Sequence, residues 1–261
     1  MNKSHDSLLF LGTGASMGIP VVACKCAVCL STSPYNKRLR PSALITLNGK
    51  KILIDAGPDF RTQALNYGID HLDGVIFTHA HHDHTAGIDD LRVYHMHTGG
   101  TLPCLASKET AEDIRNRYQY IFAPERKPGK LLSRIDFIAL NKERGDVTFL
   151  GEKIHYFSFE QAEMPVNGFR FGSLGFVSDI RDYPETIYED LKGVEKLILS
   201  ALRFETSKLH FSIDEAIQFS KKVGAKETWL THISHDVDHD SAKQSLPSNV
   251  FFAYDGLSIN F

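Results

Sequence analysis

The most informative segment of this sequence is Thr78-His79-Ala80-His81-His82-Asp83-His84. A strand predicted over Gly74–Thr78 carries it to the end of a rigid element. In an extended loop, residues two apart project to the same side, so His79 and His81 can converge on one metal. Asp83 and His84 then lie at the turn into the next helix and can point to a second metal, as two-metal sites require. An aspartate set between histidines at this spacing argues against a merely histidine-rich surface loop.

The composition is that of a globular enzyme. The 261 residues are 42% hydrophobic and 23% charged, and the length is compatible with one domain, since no linker or repeat divides the chain. No apolar run approaches the roughly 20 residues of a membrane span, and the apolar segment Leu8–Leu11 is too short for a signal-peptide core. We therefore expect a cytoplasmic protein.

The charge pattern counts against a nucleic-acid partner. The formal net charge is −3 and the isoelectric point is near 6.5, so the chain has no overall basic field. Lys37, Arg38 and Arg40 form a short basic cluster, which is typical of a solvated loop.

The cysteines are spaced for a metal rather than for disulfides. Cys24, Cys26 and Cys29 lie within six residues, whereas Cys104 is remote. This spacing predicts a metal site near the N-terminus.

Strands and helices alternate along both halves. Asn48-Gly49 predicts a hairpin between Ala43–Leu47 and Lys51–Ile54. The fold class is therefore α/β or a layered α+β arrangement, with two sheets inside helical layers. Further strands are predicted at Leu102–Ala106, Lys153–Phe157, Gly168–Phe171, Leu174–Val177, Lys196–Ser200, Glu227–Thr231 and Val250–Ala253, and helices at Gly87–His97, Lys108–Ile121, Thr186–Leu191 and Ile213–Val223.

The histidine stretch resembles the H-x-H-x-D-H signature of the metallo-β-lactamase-fold hydrolase superfamily, which His79, His81, Asp83 and His84 match. The resemblance implies a single-domain αββα sandwich over residues 1–261 and a metal-dependent hydrolase with two active-site divalent metals, Zn²⁺ or Mn²⁺. It also implies two further ligands at later strand ends: a bridging carboxylate, matched by Asp179, and a last histidine, matched by His232.

A narrower resemblance rests on the segment Phe10–Pro20, Phe-Leu-Gly-Thr-Gly-Ala-Ser-Met-Gly-Ile-Pro, which leads into the cysteine cluster. It is similar to the branch of phosphonate-pathway cyclic phosphodiesterases. That branch implies a structural zinc in a loop at about residues 20–40, a homodimer and a small phosphodiester substrate, cyclic ones included. The residues implicated are Cys24, Cys26, Cys29 and His235 as zinc ligands, His210 and Asp83 in catalysis, and Arg203 against the substrate phosphate.

One expected ligand is missing. Where the family pattern has a histidine, this chain has Gln161, a weaker ligand that could instead contact substrate. Glu160 and His155 are possible replacements, and the sequence does not decide between them. Three outcomes stay open: one tight and one labile metal, a preference for Mn²⁺, or lost catalysis.

The alternative functions are a catalytically impaired metal- or ligand-binding protein and a relative of the pyrroloquinoline quinone biosynthesis protein.

Three more polar residues lie near the predicted site. Asp55 ends a predicted strand behind the histidine stretch, where family members use an aspartate to orient a metal ligand. Asp255 and His239 are interpreted as a turn residue and a surface histidine.

Overall fold

Alternating apolar residues build two sheets. The computed structural model describes residues 6–122 and 134–261. The strands within these ranges are β1 (Ser7–Gly12), β2 (Ser42–Leu47), β3 (Lys50–Ile54), β4 (Gly74–Ile76), β5 (Leu102–Ser107), β6 (Ile135–Leu140), β7 (Arg144–Phe149), β8 (Glu152–Gln161), β9 (Met164–Phe171), β10 (Leu174–Val177), β11 (Lys196–Ser200), β12 (Glu227–Thr231), β13 (Val250–Phe252) and β14 (Ser258–Asn260).

The helices are short, and most lie between strands. They are α1 (Ala27–Leu30), α2 (Phe60–Asn66), α3 (His82–Thr85), α4 (Arg92–Thr98), α5 (Lys108–Arg117), α6 (Gln119–Phe122), α7 (Ile187–Asp190), α8 (Ile213–Val223) and α9 (His239–Ala242), with 3₁₀ turns at Pro34–Asn36, Ile88–Leu91 and Lys243–Ser245.

The two sheets share one plan. Their strand orders are β14-β1-β2-β3-β4-β5-β6 and β13-β12-β11-β10-β9-β8-β7. In the first sheet, pairing is antiparallel from β14 to β3 and parallel from β3 to β6. In the second, it is antiparallel from β7 to β10 and parallel from β10 to β13. The carboxyl ends of parallel strands in both sheets lead into six of the functional residues described below.

Three apolar layers hold the sheets and helices together. Along β3, Ile52 and Ile54 face the second sheet, whereas Leu53 faces the helices, as the two-residue period of a strand requires. In β11, Ile198 joins the layer between the sheets, whereas Leu197 and Leu199 pack towards α8. The predicted αββα sandwich is confirmed.

Most predicted elements are present with shifted ends. The hairpin at Asn48-Gly49 is found, with φ of 48° and 81°, and α8 has the predicted bounds. The helix predicted over Lys108–Ile121 is interrupted at Tyr118. The sequence does not predict strands β6, β7 and β14. These strands either mix polar and apolar residues or are too short to show an alternation of apolar residues with a period of two.

We expect Phe169→Ala to lower the free energy of unfolding by about 3–5 kcal/mol, because its ring is fully buried between the sheets. Urea denaturation would measure the loss. Phe251→Ala is the matched control, since Phe251 is 36% exposed on β13 and its removal leaves little cavity. Equal losses in the two variants would contradict this account of the core.

Candidate active site

Two groups of metal-ligand side chains lie side by side at the strand ends. One group is Asp83, His84, Asp179 and His232, and the other is His79, His81 and Asp179; within each, the ligand atoms lie within 4.8 Å of one another. The stretch after β4 supplies four of these residues, the end of β10 supplies Asp179, and the end of β12 supplies His232. The structure thus brings together all six residues predicted for the two active-site metals.

Asp179 belongs to both groups. Its Oδ2 lies 3.4 Å from Nε2 of His79 and 3.4 Å from Nε2 of His84, and its Oδ1 lies 3.3 Å from Nε2 of His232. Two donors at about 2.0–2.2 Å from a tetrahedral metal are separated by about 3.4 Å. Nε2 of His84 and of His232 is buried without a hydrogen-bond partner in the described ranges. The donor set therefore fits divalent metals.

Asp55, just beyond β3, orients the histidines from behind. It lies 2.7 Å from Nδ1 of His84, and it accepts hydrogen bonds from the Thr78 N–H and hydroxyl, each at 2.8 Å. The Thr78 hydroxyl also lies 2.9 Å from Nδ1 of His79. Such contacts fix the ring orientation and tautomer of a metal-ligating histidine. Sequence reasoning assigned no role to Thr78, although a hydroxyl directly before the first histidine was a usable signal.

Two ligands and the supporting Asp55 have left-handed backbone conformations just after their strands. Asp55, Asp179 and His232 have φ of 61°, 54° and 62°. Such values are uncommon for residues other than glycine, and they concentrate at functional sites. The three side chains either belong to the ligand groups or contact a ligand.

The electrostatics keep the carboxylates ionised. Burial opposes ionisation of Asp179, but His232 and His84 hold its pKa well below the usual range. The pKa of Asp83 is lowered in the same way, against burial, by His84 and His232. Burial lowers the pKa of His79, which favours the neutral imidazole that binds metals.

His210 and Gln161 lie together beside this centre. The His210 ring stacks on His232, with centroids 4.8 Å apart, and the Gln161 amide nitrogen lies 3.0 Å from its Nδ1. Burial, together with His232, lowers the pKa of His210 to about 4. Gln161 is 2% exposed, and its Oε1 has no hydrogen-bond partner within the described ranges.

The two candidate replacements for the missing histidine lie elsewhere. His155 contacts Asp146 at 2.8 Å and Asp190 at 2.9 Å, and Glu160 points to the opposite, exposed face of β8 from Gln161. Neither residue belongs to a ligand group.

Arg203 is held by a carboxylate. Its Nη1 lies 3.2 Å from Asp236 Oδ2, and its side chain is 37% exposed. A contact between Arg203 and a substrate phosphate stays a prediction.

The N-terminal cysteines meet His235. Sγ of Cys24, Cys26 and Cys29 lies 3.4, 3.5 and 3.6 Å from Nδ1 of His235. A tetrahedral zinc with bonds of about 2.3 Å to sulfur and 2.0–2.1 Å to nitrogen separates these atoms by about 3.6 Å. Hydrogen bonding from the Cys29 N–H and to His235 lowers the pKa of Cys26 to about 6. The four residues therefore fit a closed zinc site.

Two interpretations from the sequence were wrong. Arg38 is fully buried rather than solvated; it donates to Thr13 Oγ1 at 2.7 Å and to the Ala253 carbonyl at 2.6 Å, and lies 2.9 Å from His239 Nδ1. His239 is correspondingly buried, at 7% exposure. Asp255 lies in a turn, as expected, but burial raises its pKa to about 6. Arg38 lies about 200 residues from both Ala253 and His239 in sequence, so no local pattern reveals these contacts.

Comparison with known proteins agrees with this geometry. A family model described as a beta-lactamase superfamily domain matches residues 50–233. A crystal structure of a diphosphatase from the PhnP family superposes with a TM-score of 0.89 at 36% identity, covering 98% of each chain. Zinc-bound PqqB from Methylobacterium extorquens superposes with a TM-score of 0.76 at 18% identity, covering 98% of this chain and 100% of that one, which speaks for the fold alone.

Sequence relatives carry different names. An octanoyltransferase of Porphyromonas gingivalis is 35% identical over 254 residues, or 95% of this chain, but the chain spans only 50% of that relative's length. A ribonuclease Z of Bradyrhizobium diazoefficiens is 37% identical over 87 residues, which are 33% of this chain and 24% of the relative. The matched domain, the two-sheet fold and the paired ligand groups together lead to one conclusion: this chain belongs to the metallo-β-lactamase superfamily.

Proposed function

We propose that this superfamily hydrolase is a phosphodiesterase acting on a small substrate, cyclic phosphodiesters included. The observation that carries the proposal is the pair of ligand groups sharing Asp179, with His210 stacked on one of the ligands. Two-metal sites of this kind suit in-line displacement at phosphorus.

Each role in the proposed reaction is assigned to a residue of this chain or to the metals that the ligand groups would hold. Divalent metals, Zn²⁺ or Mn²⁺, would supply Lewis acidity and lower the pKa of a bound water. We assign Asp83, which lies 3.5 Å from both His84 and His232, to ligate a metal and to hold the attacking water. His210 protonates the departing oxygen. Its ring is neutral at neutral pH, so this role requires the anionic substrate to raise its pKa.

The comparisons support chemistry at phosphorus. A diphosphatase that is 36% identical to this chain superposes over 98% of both chains, and hydrolysis of either a phosphate ester or a phosphoric anhydride requires attack by water at phosphorus. The octanoyltransferase name belongs to a protein about twice as long as the matched region, so it supplies no argument for acyl transfer by this chain.

A second candidate, a metal-binding protein with impaired catalysis, is favoured by Gln161. The group around His79 and His81 has three ligands, whereas the group around His84 has four. Three protein ligands and an open position are also typical of catalytic metals, so we rank the hydrolase first.

We expect purified protein loaded with Zn²⁺ or Mn²⁺ to hydrolyse bis(p-nitrophenyl) phosphate and cyclic nucleotides. His210→Ala should lower kcat by about 10²–10⁴-fold while the metal content is kept, because it removes the proton donor. His81→Ala, which removes a ligand, is the control for background. Wild-type turnover no higher than that of His81→Ala would sink the proposal.

Metal analysis after dialysis separates the two candidates. The hydrolase should keep three metals per chain, whereas the impaired protein should keep only the zinc at Cys24, Cys26, Cys29 and His235.

Cys26→Ser should lose the zinc at the cysteine site and lower the thermal midpoint, because a closed site contributes its binding free energy to folding. Cys104→Ala, in the core of the first sheet, should keep it; equal zinc contents in the two variants would refute the assignment.

A further inference from the structure

His210 lies on a long loop that needs an anchor. The loop joins β11 to α8, and much of it, from Phe204 to Thr206 and at Lys208 and Leu209, is exposed. Backbone hydrogen bonds close its base, from Leu202 N to Phe211 O at 2.9 Å and from Ile213 N to Arg203 O at 2.8 Å. These bonds hold the neighbours of His210. A proton donor must lie within about 2.6–3.2 Å of its partner, so His210 itself also has to be held.

Arg181 reaches the backbone of His210. Its Nη1 donates to the His210 carbonyl at 3.3 Å, and the same nitrogen lies 2.9 and 3.0 Å from the two carboxylate oxygens of Glu215. Glu215 also accepts from the Ser212 N–H at 2.8 Å, and Ser212 Oγ accepts from the Glu215 N–H, which completes the capping box of α8. The guanidinium thus joins the loop to the fixed first turn of a helix.

The backbone of Arg181 is held beside the candidate metal centre. Arg181 follows Asp179, the carboxylate shared by both ligand groups, by two residues. Its N–H donates to the Glu160 carbonyl, as does that of Asp182, so the turn is hydrogen-bonded to β8 directly beside Gln161. One short segment therefore sets the positions of Asp179, Gln161 and the His210 carbonyl relative to one another.

We infer that Arg181, held by Glu215, is a positioning residue that fixes His210 over the metal centre. The inference rests on the proposed function in so far as His210 acts in catalysis. Side chains of this pair are 26% and 34% exposed, and an ion pair at such exposure contributes little to overall stability. A misplacement of about 1 Å can nonetheless slow a reaction about 100-fold.

The kinetic test uses the metal-loaded full chain and bis(p-nitrophenyl) phosphate. Arg181→Gln should lower kcat about 10- to 100-fold with KM and metal content nearly unchanged, and Arg181→Lys should recover part of the loss. In a His210→Ala background, Arg181→Gln should cost no further activity. A loss of the same size in that background would show a merely structural role and overturn the inference.

Arg144→Gln is the matched control. Arg144 likewise contacts a carboxylate, Asp190 at 2.9 Å, and donates to a backbone carbonyl, that of Thr186 at 3.1 Å. It lies at the start of β7, outside the ligand groups, so its substitution should leave kcat unchanged. Equal losses of kcat in Arg144→Gln and Arg181→Gln would count against a specific role for Arg181.

A spectroscopic measurement keeps the inference separate from the proposed function. In histidine-labelled, metal-loaded protein, the His210 ring signals are identified by their loss in His210→Ala. Arg181→Gln should shift and broaden these signals, whereas Arg144→Gln should not. If the wild type has no phosphodiesterase activity but the signals respond, the proposed function fails and the positioning role stands. If the signals do not respond to Arg181→Gln, the positioning role is wrong whatever the activity.

Discussion

The structure depends on one buried carboxylate, which links ligands from the two sheets. Asp179 comes from the end of β10, whereas His79 and His84 come from the stretch after β4 in the other sheet. Burying ionisable groups is costly unless they are paired, and here carboxylates and imidazoles compensate one another while all point inward. The apolar layer sets the distance between the sheets, and Asp179 joins ligands that come from both of them. The geometry of the site therefore depends on the packing of the sheets.

Three left-handed residues other than glycine lie where that constraint acts. The left-handed residues Asp55, Asp179 and His232 each follow a strand whose backbone is fixed by pairing on both sides. A rigid sheet can hold a turn that an isolated peptide would avoid. This explains why ligands separated by about 150 residues can share a site only a few ångströms wide: each is aimed by a local turn, and the sheets supply the common frame.

The sequence predicted the ligands better than their surroundings. The spacing of His79, His81, Asp83 and His84 is a local signal, and α8 carries its own capping residues, so both could be identified directly. Asp179, His232 and the fourth zinc ligand, His235, needed the family resemblance, because nothing local links them to the other ligands. The burial of Arg38 and His239 could not be predicted, since their partners come from opposite ends of the chain. The common plan of the two sheets is likewise a property of strand pairing, and it leaves no repeat in the residues.

In the part of the chain that the structure describes, no neighbouring side chain replaces the missing histidine ligand, and Gln161 has a contact of its own. A local comparison of ligands suggests a gap to be filled by a neighbouring side chain, but Glu160 lies on the exposed face of β8 and His155 contacts Asp146 and Asp190. Gln161 instead lies against His210. The position therefore joins β8 to the loop that carries the candidate proton donor.

The cysteine site has a separate consequence for how the chain folds: Cys29 and His235 are 206 residues apart, so a metal joining them closes a very long loop. By the chain-entropy relation used for covalent cross-links, such a closure would restrict the unfolded ensemble by roughly 5 kcal/mol. Zinc at this site would act less as a local clamp than as a topological tether, engaged only after both halves of the sandwich have come together.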